Sequence, residues 1–452
     1  MNDNSGTEMD PRPVRLRDRF ILRIVRFAVP FLYENVETLD ETKGRIPGGS
    51  PVLVVSNHFG GFADPLVLLS ASPVVPRIVA RDRIWRVPFA GWIMNWIGAI
   101  PVHKPKEQKE PVTNDQMFAS CYDALEARLP LLIYPEGITR EDPSIAPLKT
   151  GAARIALGAR NAGTRGIHIV PVGIHYEDKS ALRSRIFINA GEPIDLDASI
   201  GRYAPEGDPT PENRTAVRAL TDEMEVCLRN VAPDFDDWQE AKSLTFAAEV
   251  TLRTEASEPT DEVPIADRDL LAAQLARSGG DEKATVMEVA DDLERDLDGI
   301  GLSDREVAER MRTGSFFGYL LRSTLLLLVA VPIALIGLTV NLWPLLLVWA
   351  TGFLPVGAAV KATIKPAGAI LFFGISWGVA AWQGFERSII AGMITLILLP
   401  VTLGALLYSS ERVVRIYRSG RQWLKSRRVD ALTKQIEEKR TAVASEVRDV
   451  VS

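Results

Sequence analysis

The stretch Pro51-Val-Leu-Val-Val-Ser-Asn-His-Phe-Gly-Gly-Phe-Ala-Asp-Pro65 decides the fold. Its first five residues form an apolar run typical of a buried strand, and the paired glycines predict a sharp turn where that strand ends. In open α/β sheets, active sites lie at the carboxyl ends of the strands. His58 and Asp64, held on one such turn, can form a general base and the carboxylate that orients it.

Short apolar runs and helical patterns alternate from residue 51 to about residue 245. This alternation predicts an α/β domain with a mostly parallel sheet and flanking helices. The predicted strands contain residues 51–55, 78–79, 131–134, 167–170 and 186–188, and the predicted helices cover 114–128, 151–160 and 212–231.

A second strand runs into a turn at Leu131-Leu-Ile-Tyr-Pro-Glu-Gly-Ile-Thr-Arg-Glu-Asp142. Lys149 lies at the predicted start of the helix that follows, and Lys104 ends a strand-like segment that begins at Gly98. The N-terminus of a helix favours an anion, and a lysine beside it adds positive charge. The segments together predict an anion site, whereas either lysine taken alone is typical of a solvated surface.

These segments resemble, in order, four motifs of the glycerolipid acyltransferase family. The four motifs are spread over residues 50–195, which makes the resemblance specific. The matching residues are Asn57-His58 with Asp64, then Gly98 to Lys104, then Pro135-Glu136-Gly137-Ile138-Thr139-Arg140 followed by Lys149 and Gly151, and finally Ile169-Val-Pro-Val172.

The sequence departs from the family pattern at three places. Five residues separate His58 from Asp64 where the family usually has four, a spacing that resembles a bacterial and fungal branch of the family. Lys104 stands where the family usually has arginine, so the bidentate contact with phosphate is lost. Ile138 interrupts the Gly-Thr-Arg order, which leaves open whether Thr139 or Arg140 takes the family's role.

The resemblance implies a membrane-bound O-acyltransferase of phospholipid biosynthesis. Its acyl donor would be a thioester of coenzyme A or acyl carrier protein, and its acceptor a hydroxyl of glycerol-3-phosphate or lysophosphatidic acid. The five-residue spacing favours glycerol-3-phosphate. His58 would be the general base and Asp64 would hold its ring. The implied substrate-binding residues are Lys104, Glu136, Gly137, Thr139, Arg140 and Lys149.

The same residues bear on how transfer would proceed. No serine or cysteine lies in a nucleophile elbow, so direct transfer is favoured over an acyl-enzyme. Backbone N–H groups of the Gly60-Gly61 turn are candidate donors to the tetrahedral oxyanion. Neither His103 nor His175 has a partner at metal-ligand spacing, so we expect no metal and no cofactor beyond the thioester co-substrate.

Two other classes of protein fit parts of the sequence. A non-catalytic module that binds lipid or tethers membranes could keep the fold with a vestigial His–Asp turn, although His58, Asp64, Glu136 and Gly137 are all present. A transporter would need functional charges inside membrane spans. The five charged residues of the apolar region lie near its ends or between apolar runs, so this class has little support.

Composition divides the chain into segments of different character. Residues 254–310 hold 17 Asp and Glu against 6 Lys and Arg, which favours a solvated, partly helical linker. The N-terminal pattern predicts a basic amphipathic helix that either lies on an anionic membrane or packs on its own domain. The predicted segments are 1–45 (tail and basic helix), 46–250 (acyltransferase domain), 251–315 (acidic linker), 316–410 (all-α transmembrane region) and 411–452 (basic helical tail).

Residues 316–408 contain long apolar runs that exceed the roughly 20 residues needed to cross a bilayer. The first run, about 319–360, is too long for one span, so we predict a turn at Asn341-Leu-Trp-Pro344. We predict a second hairpin over 366–384 and 388–408 with Gln383 to Arg387 outside, which gives four spans. Two spans would also give an even number but would leave a long apolar segment unexplained. The basic segment 411–428 stays inside by the positive-inside rule. The catalytic domain is therefore predicted on the cytoplasmic side of the cell membrane, in contact with lipid.

The overall composition excludes several classes. Hydrophobic residues make up 46% and charged residues 24% of the 452 residues, which excludes disorder of the whole chain. A net charge of −6 argues against a chain-wide nucleic-acid binder, so no nucleic-acid partner is expected. Two cysteines, Cys121 and Cys227, in unrelated contexts indicate a reducing compartment. Nothing in the sequence indicates the oligomeric state.

Overall fold

The computed structural model describes residues 16–39, 45, 50–87, 90–103, 113–139, 141–204, 208–256, 262–308, 313–426 and 430–451. The chain divides into two compact units. The first ends at Asp234 and the second begins at Phe235, so the observed boundary lies before the predicted one at residue 250.

The first unit is built on one sheet, in which the described residues form eight strands. The strands are β1 (Asn35–Thr38), β2 (Val52–Ser56), β3 (Arg77–Arg81), β4 (Ile100–Val102), β5 (Leu131–Ile133), β6 (His168–Tyr176), β7 (Arg185–Ala190) and β8 (Ile194–Asp195).

The strand order is β1-β7-β6-β2-β5-β3-β4, with β8 paired to β6. Five of the pairs are parallel, and β6 runs antiparallel to β7 and β8. All five residues of β2 are buried, as expected for a strand covered on both faces. The predicted α/β class with a mostly parallel sheet is confirmed.

Seven helices flank this sheet in the described residues. The apolar faces of the fourth, fifth and seventh pack with the sheet into one core that includes Leu53, Leu131 and Ile169. The helices are α1 (Leu16–Leu32), α2 (Ala63–Ala71), α3 (Ala90–Ile97), α4 (Asp115–Glu126), α5 (Gly151–Asn161), α6 (Leu196–Tyr203) and α7 (Arg214–Arg229).

The described residues of the second unit form helices joined by turns, with no strand among them. Its helices fall into two groups, one with an enclosed apolar core and one of strongly apolar helices. They are α8 (Trp238–Glu255), α9 (Ile265–Ala276), α10 (Gly280–Ile300), α11 (Asp304–Ala308), α12 (Thr313–Ile336), α13 (Leu338–Ala350), α14 (Ala358–Arg387), α15 (Ile389–Ser426) and α16 (Asp430–Val451).

The acidic segment is a packed helical bundle and not the predicted linker. Helices α8 to α11 and α16 enclose a shared core that includes Leu244, Val286, Leu293 and Val443. Apart from the buried Asp304, the described acidic residues of this segment are exposed or half-buried, and several pair with cations from other helices. Lys439 of α16, for example, lies 2.6 Å from Asp292 and 2.5 Å from Asp296 of α10.

A buried ion network joins three helices of this bundle. The carboxylate of Asp304 accepts hydrogen bonds from Arg253 at 2.6 Å and from Arg440 at 2.5 Å. All three residues are buried. Removing one partner of a buried network leaves an uncompensated charge, so these contacts fix how α8, α11 and α16 meet.

The apolar region forms the predicted four helical segments, but three of them are long and apolar enough to cross a membrane in the described residues: Phe317–Ile336, Val360–Arg387 and Ile389–Arg421. The fourth, α13, has 13 residues. At 1.5 Å per residue it is about 20 Å long, short of a hydrocarbon core of about 30 Å. Four full spans therefore stay a prediction.

The break in the first apolar run is also placed differently from the prediction. It lies at Gly337, and Asn341 and Pro344 fall inside α13. Asn341 is buried, donates to Thr402 Oγ1 at 3.0 Å and accepts from the Trp377 indole N–H at 3.0 Å. Asn341, which we predicted to lie in a turn, instead makes hydrogen bonds between helices. The second predicted turn, Gln383 to Arg387, ends one residue before the observed break at Ser388.

Candidate active site

The turn after β2 brings His58 and Asp64 together. Asp64 lies in the first turn of α2 and is fully buried, and its Oδ2 is 2.8 Å from His58 Nδ1. The His58 side chain keeps partial exposure. Because Nδ1 is engaged by the carboxylate, the other ring nitrogen, Nε2, is the one left for exchange with a substrate.

Two further donors hold the Asp64 carboxylate. The Tyr176 hydroxyl donates to Oδ1 at 2.7 Å, and the backbone N–H of Gly60 lies 3.0 Å from both oxygens. A carboxylate that accepts several hydrogen bonds is held in one orientation. Asp64 is therefore fixed against the imidazole of His58.

Gly60 is required by this geometry. A Cβ atom at this position would lie 2.6 Å from Asp64 Oδ1 and 2.7 Å from the Tyr176 hydroxyl. Its N–H already donates to Asp64, so it is not available to an oxyanion as the sequence had suggested. The glycine serves the close approach of backbone to carboxylate, a common reason for glycine beside a functional group.

Tyr134 stacks on the imidazole of His58. The ring centroids are 4.2 Å apart and the planes are inclined by 18°. The Tyr134 hydroxyl is buried and has no hydrogen-bond partner among the residues that the structure describes. The stacking fixes the ring plane, while the carboxylate of Asp64 fixes the direction in which the ring points.

Three tyrosines surround the carboxylate of Asp64. Burial, and then the negative charge of Asp64, raise the pKa of Tyr33, Tyr134 and Tyr176. The rings of Tyr33 and Tyr176 lie 6.5 Å apart. All three phenols therefore stay protonated at neutral pH, and Tyr176 keeps the proton that it donates to Asp64.

Glu136, from the second motif turn, links that turn to the first. Its Oε1 accepts the backbone N–H of His58 at 2.9 Å, and its Oε2 accepts that of Ala146 at 3.0 Å. The side chain is buried. A buried carboxylate with both oxygens bonded to backbone N–H groups fixes three chain segments against one another.

Asn57 makes the matching link to β6, the strand that neighbours β2 on the side opposite β5. Its amide donates to the carbonyl of Ile174 at 3.0 Å and accepts the N–H of Ile174 at 2.8 Å. Asn57 is fully buried, so its side chain replaces the water that these two backbone groups would otherwise bind. The segment that contains His58 is thus tied to β6 through Asn57 and to the turn after β5 through Glu136.

Gly137 and Lys149 lie together next to Glu136. Gly137 has a positive φ of 64°, and a Cβ there would collide with Lys149 Nζ. Lys149 precedes α5, and its backbone N–H donates to the carbonyl of Pro135 at 2.9 Å. The exposed ammonium group is therefore held over the Pro-Glu-Gly turn, at the start of a helix, as the anion-site prediction requires.

Most of the predicted site residues converge. His58, Asp64, Glu136, Gly137 and Lys149 meet at the carboxyl ends of β2 and β5. Thr139 lies on the same turn and is exposed. Lys104 and Arg140 lie outside the described residues.

The residue before Lys104 is well defined. The backbone N–H of His103 donates to Asn114 Oδ1 at 2.9 Å, and Asn114 Nδ2 donates back to the His103 carbonyl at 3.0 Å. The imidazole Nδ1 lies 3.1 Å from Asp82 Oδ2. His103 is thus held by Asn114 through its backbone and by Asp82 through its ring.

Sequence reasoning missed four residues of the site: Tyr134, Tyr176, Lys179 and Arg81. Lys179 lies over the ring of Phe59 at 5.8 Å, and burial lowers the pKa of its ammonium group against the opposing effects of Glu141, Asp64 and Asp142. Arg81 Nη2 lies 3.5 Å from the Gly137 carbonyl. Only Tyr134 carried a local signal, since it directly precedes the Pro-Glu-Gly turn.

No group of three or more His, Cys, Asp or Glu side chains that could hold a metal ion occurs in the described ranges of the chain. The groups gathered around His58 are instead phenols, the carboxylates of Asp64 and Glu136, and backbone N–H donors. This set can orient a base and take up a proton.

Comparison with known proteins agrees with the motifs. Residues 33–175 match the family model described as Acyltransferase. The chain contains an acyltransferase-family domain. All of His58, Asp64, Glu136, Gly137 and Lys149 lie inside the matched segment of this acyltransferase domain.

Two curated relatives come from Saccharomyces cerevisiae. Glycerol-3-phosphate O-acyltransferase 2 is 29% identical over 208 residues, which cover 45% of this chain and 27% of that protein. Glycerol-3-phosphate O-acyltransferase 1 is 32% identical over 110 residues, which cover 24% of this chain and 14% of that protein. The chain thus spans about a quarter or less of the length of these relatives.

One solved structure is similar to the acyltransferase domain. It is the crystal structure of the 1-acyl-sn-glycerophosphate (LPA) acyltransferase PlsC from Thermotoga maritima, with 16% identity and a TM-score of 0.32. The match covers 47% of this chain and 79% of that one.

Proposed function

We propose that the first unit transfers a fatty acyl group from a thioester to a hydroxyl of a glycerol phosphate acceptor. The observation that carries this proposal is the buried Asp64 carboxylate 2.8 Å from His58 Nδ1, at the carboxyl end of β2. That pair presents Nε2 of a fixed imidazole on a partly open edge of the sheet. The match to the acyltransferase family supports the reaction class.

The proposed step begins with the acceptor hydroxyl. Its proton passes to His58 Nε2 as its oxygen attacks the thioester carbonyl, and a tetrahedral oxyanion forms. The oxyanion collapses, the carbon–sulfur bond breaks, and the leaving thiolate takes up the proton from the imidazolium. Asp64 stabilises that imidazolium, and one such positioned base contributes roughly 10²–10⁴-fold.

The acceptor phosphate is proposed to bind beside the Pro-Glu-Gly turn. Lys149 supplies a cation at the start of α5, where the backbone N–H groups also favour an anion. Arg81, 3.5 Å from the Gly137 carbonyl, brings a guanidinium to the same turn. Lys104, Thr139 and Arg140 complete the proposed phosphate-binding set, while Glu136 and Gly137 shape its floor.

Glycerol-3-phosphate is the acceptor we propose first. The two yeast relatives carry this substrate in their names, and the five-residue spacing of His58 and Asp64 favours the same side of the family. Lysophosphatidic acid has the same arrangement of a phosphate near a free hydroxyl, so it is the acceptor to compare. The donor is proposed to be acyl-CoA or acyl-acyl carrier protein, with no metal or further cofactor.

We further propose that the catalytic unit lies on the cytoplasmic side of the cell membrane. The support is the basic run that ends the last apolar helix, with Arg412, Arg415, Arg418 and Arg421. Basic residues next to a span favour the cytoplasmic side. This placement also requires an even number of crossings before that run.

The test is an acyl-transfer assay on the full chain in lipid nanodiscs. Radiolabelled acyl-CoA or acyl-acyl carrier protein is offered with each acceptor, and product is followed by thin-layer chromatography. We expect esterified product with glycerol-3-phosphate and none with the His58→Ala variant. The control is His168→Ala, which changes a half-buried histidine at the start of β6.

A folded wild-type chain that binds lipid but esterifies neither acceptor would instead support a non-catalytic lipid-binding or tethering module. Equal product from the His58→Ala variant would contradict the assignment of the base. Product with lysophosphatidic acid alone would keep the reaction class and change the acceptor.

A further inference from the structure

Helix α1 carries apolar residues on two faces. One face packs onto the first unit through Ile21, Leu22, Val25, Val29 and Leu32, all buried. The outer face carries large apolar side chains at helical spacing, and these side chains are exposed. They are Leu16, Phe20, Ile24 and Phe27. A helix that only covered its own domain would carry polar residues on this side.

Helix α3 extends the outer apolar surface. None of its residues is buried, although its sequence, Ala90-Gly-Trp-Ile-Met-Asn-Trp-Ile97, is strongly apolar. Trp92 is 68% exposed and stacks on Trp96 at 6.1 Å, and the ring of Trp96 meets Phe20 of α1 edge-on at 6.3 Å. The two helices therefore present one contiguous surface.

We name this surface the α1–α3 face, defined by Leu16, Phe20, Ile24, Phe27, Trp92 and Ile93. Large apolar patches on soluble proteins mark a contact with another molecule or with a membrane. The charges around the face distinguish these two occupants.

The charges on α1 are almost all positive. Arg19, Arg23 and Arg26 are exposed, and Arg26 also donates to the Ser70 and Ser72 carbonyls. The acidic residue of the helix, Asp18, is buried and paired with Arg17 at 3.0 Å. An apolar face flanked by arginines and tryptophans is complementary to anionic headgroups above acyl chains.

We propose that the α1–α3 face is a docking surface for an anionic lipid bilayer. The apolar side chains enter the boundary between headgroups and acyl chains, to a depth of about 5–10 Å for helices of this kind. The arginines stay at headgroup level. This contact belongs to the first unit itself, and it does not depend on the proposed acyl-transfer activity.

Docking at this face would act on the scaffold of the candidate site. Arg26 of α1 bonds to the carbonyls of Ser70 and Ser72, at the end of α2, whose first turn contains Asp64. The chain that leaves α1 continues into Tyr33, whose ring lies 6.5 Å from that of Tyr176. A bilayer bound at α1 would therefore lie on the helix layer that supports the His58–Asp64 pair.

The test places a polarity-sensitive fluorophore on the face in the full-length protein. In a background of Cys121→Ala and Cys227→Ser, single cysteines are introduced as Ile24→Cys, Trp92→Cys and, as the control, Arg218→Cys on α7, whose side chain is 85% exposed. Each labelled protein is reconstituted into vesicles of phosphatidylcholine and phosphatidylglycerol. Some vesicles contain phosphatidylcholine with a nitroxide on its acyl chain.

We expect blue-shifted emission at positions 24 and 92 that nitroxide lipid quenches, and neither effect at position 218. The additional pair Arg19→Glu and Arg23→Glu should reduce quenching at position 92 in these vesicles but not in phosphatidylcholine alone. All substituted positions other than the two cysteines are exposed, so folding is checked by circular dichroism.

Emission at positions 24 and 92 that matches position 218 would overturn the proposal. A blue shift without lipid quenching would overturn it too, because protein and not lipid would then cover the face.

Discussion

The two units place their large apolar side chains in opposite ways. In the first unit, β2 and β7 are buried at every position, and the helices close over the sheet. In the apolar helices of the second unit, large side chains face outward, and only 11–22% of each span window is buried. Leu328, for example, is 66% exposed. Buried apolar side chains in the first unit indicate folding in water, whereas exposed apolar side chains on the helices of the second unit indicate contact with lipid.

Buried polar groups differ between the two units in a parallel way. In the first unit one group of them, Asn57, Asp64 and Glu136, lies around His58. In the described apolar helices the Asn341 amide, bonded to Thr402 and Trp377, joins three helices. A polar group inside the sheet builds a site, whereas one inside the apolar helices holds helices together where hydrophobic attraction between them is weak.

The largest expected effect is on catalysis. His58→Ala should reduce acyl transfer by roughly 10²–10⁴-fold, because the positioned base is lost. The rate is measured in nanodiscs with saturating donor and acceptor. An unchanged melting temperature of the variant shows that the fold is intact. Turnover near the wild-type rate in a folded variant would contradict the role of His58 as general base.

The next prediction compares an exposed apolar residue from each unit. Leu328→Arg should cost about 2.5–3.5 kcal/mol of membrane insertion if its side chain faces acyl chains. Val226→Arg, at a position that is 60% exposed on α7, should have almost no effect because its surroundings are water. Both are measured as the fraction of chain integrated into membranes.

If the Leu328→Arg and Val226→Arg chains integrate into membranes to the same extent, the proposed difference between the two units is contradicted. The exposed side chains of α12 would then face water, and the three long apolar helices would need another explanation.

The third prediction concerns the buried amides. Asn57→Leu should cost about 1–3 kcal/mol for each of the two backbone groups of Ile174 left unpaired in the sheet. Asn341→Leu should cost less, about 0.6–1.7 kcal/mol, as found for hydrogen bonds between helices in membranes. Denaturant titration of the chain in nanodiscs, followed by hydrogen exchange at each unit, separates the two losses. A larger loss of stability from Asn341→Leu than from Asn57→Leu would contradict the prediction that the buried amide of the first unit contributes more.

The fourth prediction separates two tyrosines at one site. Tyr134→Phe should leave stability unchanged or slightly raised, because its buried hydroxyl has no partner in the described part of the chain. Tyr176→Phe should cost about 1.5–3 kcal/mol, because a bond to the Asp64 carboxylate is lost. It should also shift the pH dependence of transfer, which the change at Tyr134 should not do. Identical pH profiles for the two variants would contradict the role of Tyr176.

The same tyrosines predict an alkaline limit. Their pKa values are raised by burial and by Asp64, so the folded state holds protons that the unfolded state releases above its ordinary pKa of about 10. The contribution of these phenols to the free energy of unfolding is fully present below that pH. It is lost as the pH rises through the folded-state pKa. The first unit should therefore lose stability above pH about 10. The double variant Tyr134→Phe, Tyr176→Phe should lose less over the same range, measured by thermal melting against pH.

The sequence predicted what depends on neighbours along the chain. His58 and Asp64 share one turn after a strand, so their pairing followed from local pattern, and so did the class of the sheet. The Pro-Glu-Gly turn could be placed near them because both turns follow parallel strands, whose carboxyl ends lie at one edge. The apolar runs were recognisable as helices from length and composition alone.

The tertiary structure decided what depends on distant partners. Tyr176 reaches Asp64 across 112 residues, and Asn57 bonds Ile174 across 117. No local signal marks either contact, because a tyrosine in an apolar strand looks like core. The acidic segment looked solvated because the apolar faces of α8, α10 and α16 meet only when the chain returns at residue 430.

The apolar helices show the same division between local and distant information. Composition determined that they are helices suited to lipid. Asn341 looked like part of a turn because a polar residue before Trp-Pro is typical of one, yet its amide is satisfied by Thr402 and Trp377 from two other helices. Sequence determined which segments form each element, and packing decided which polar atoms meet, because a hydrogen bond depends on distance in space and not on separation along the chain.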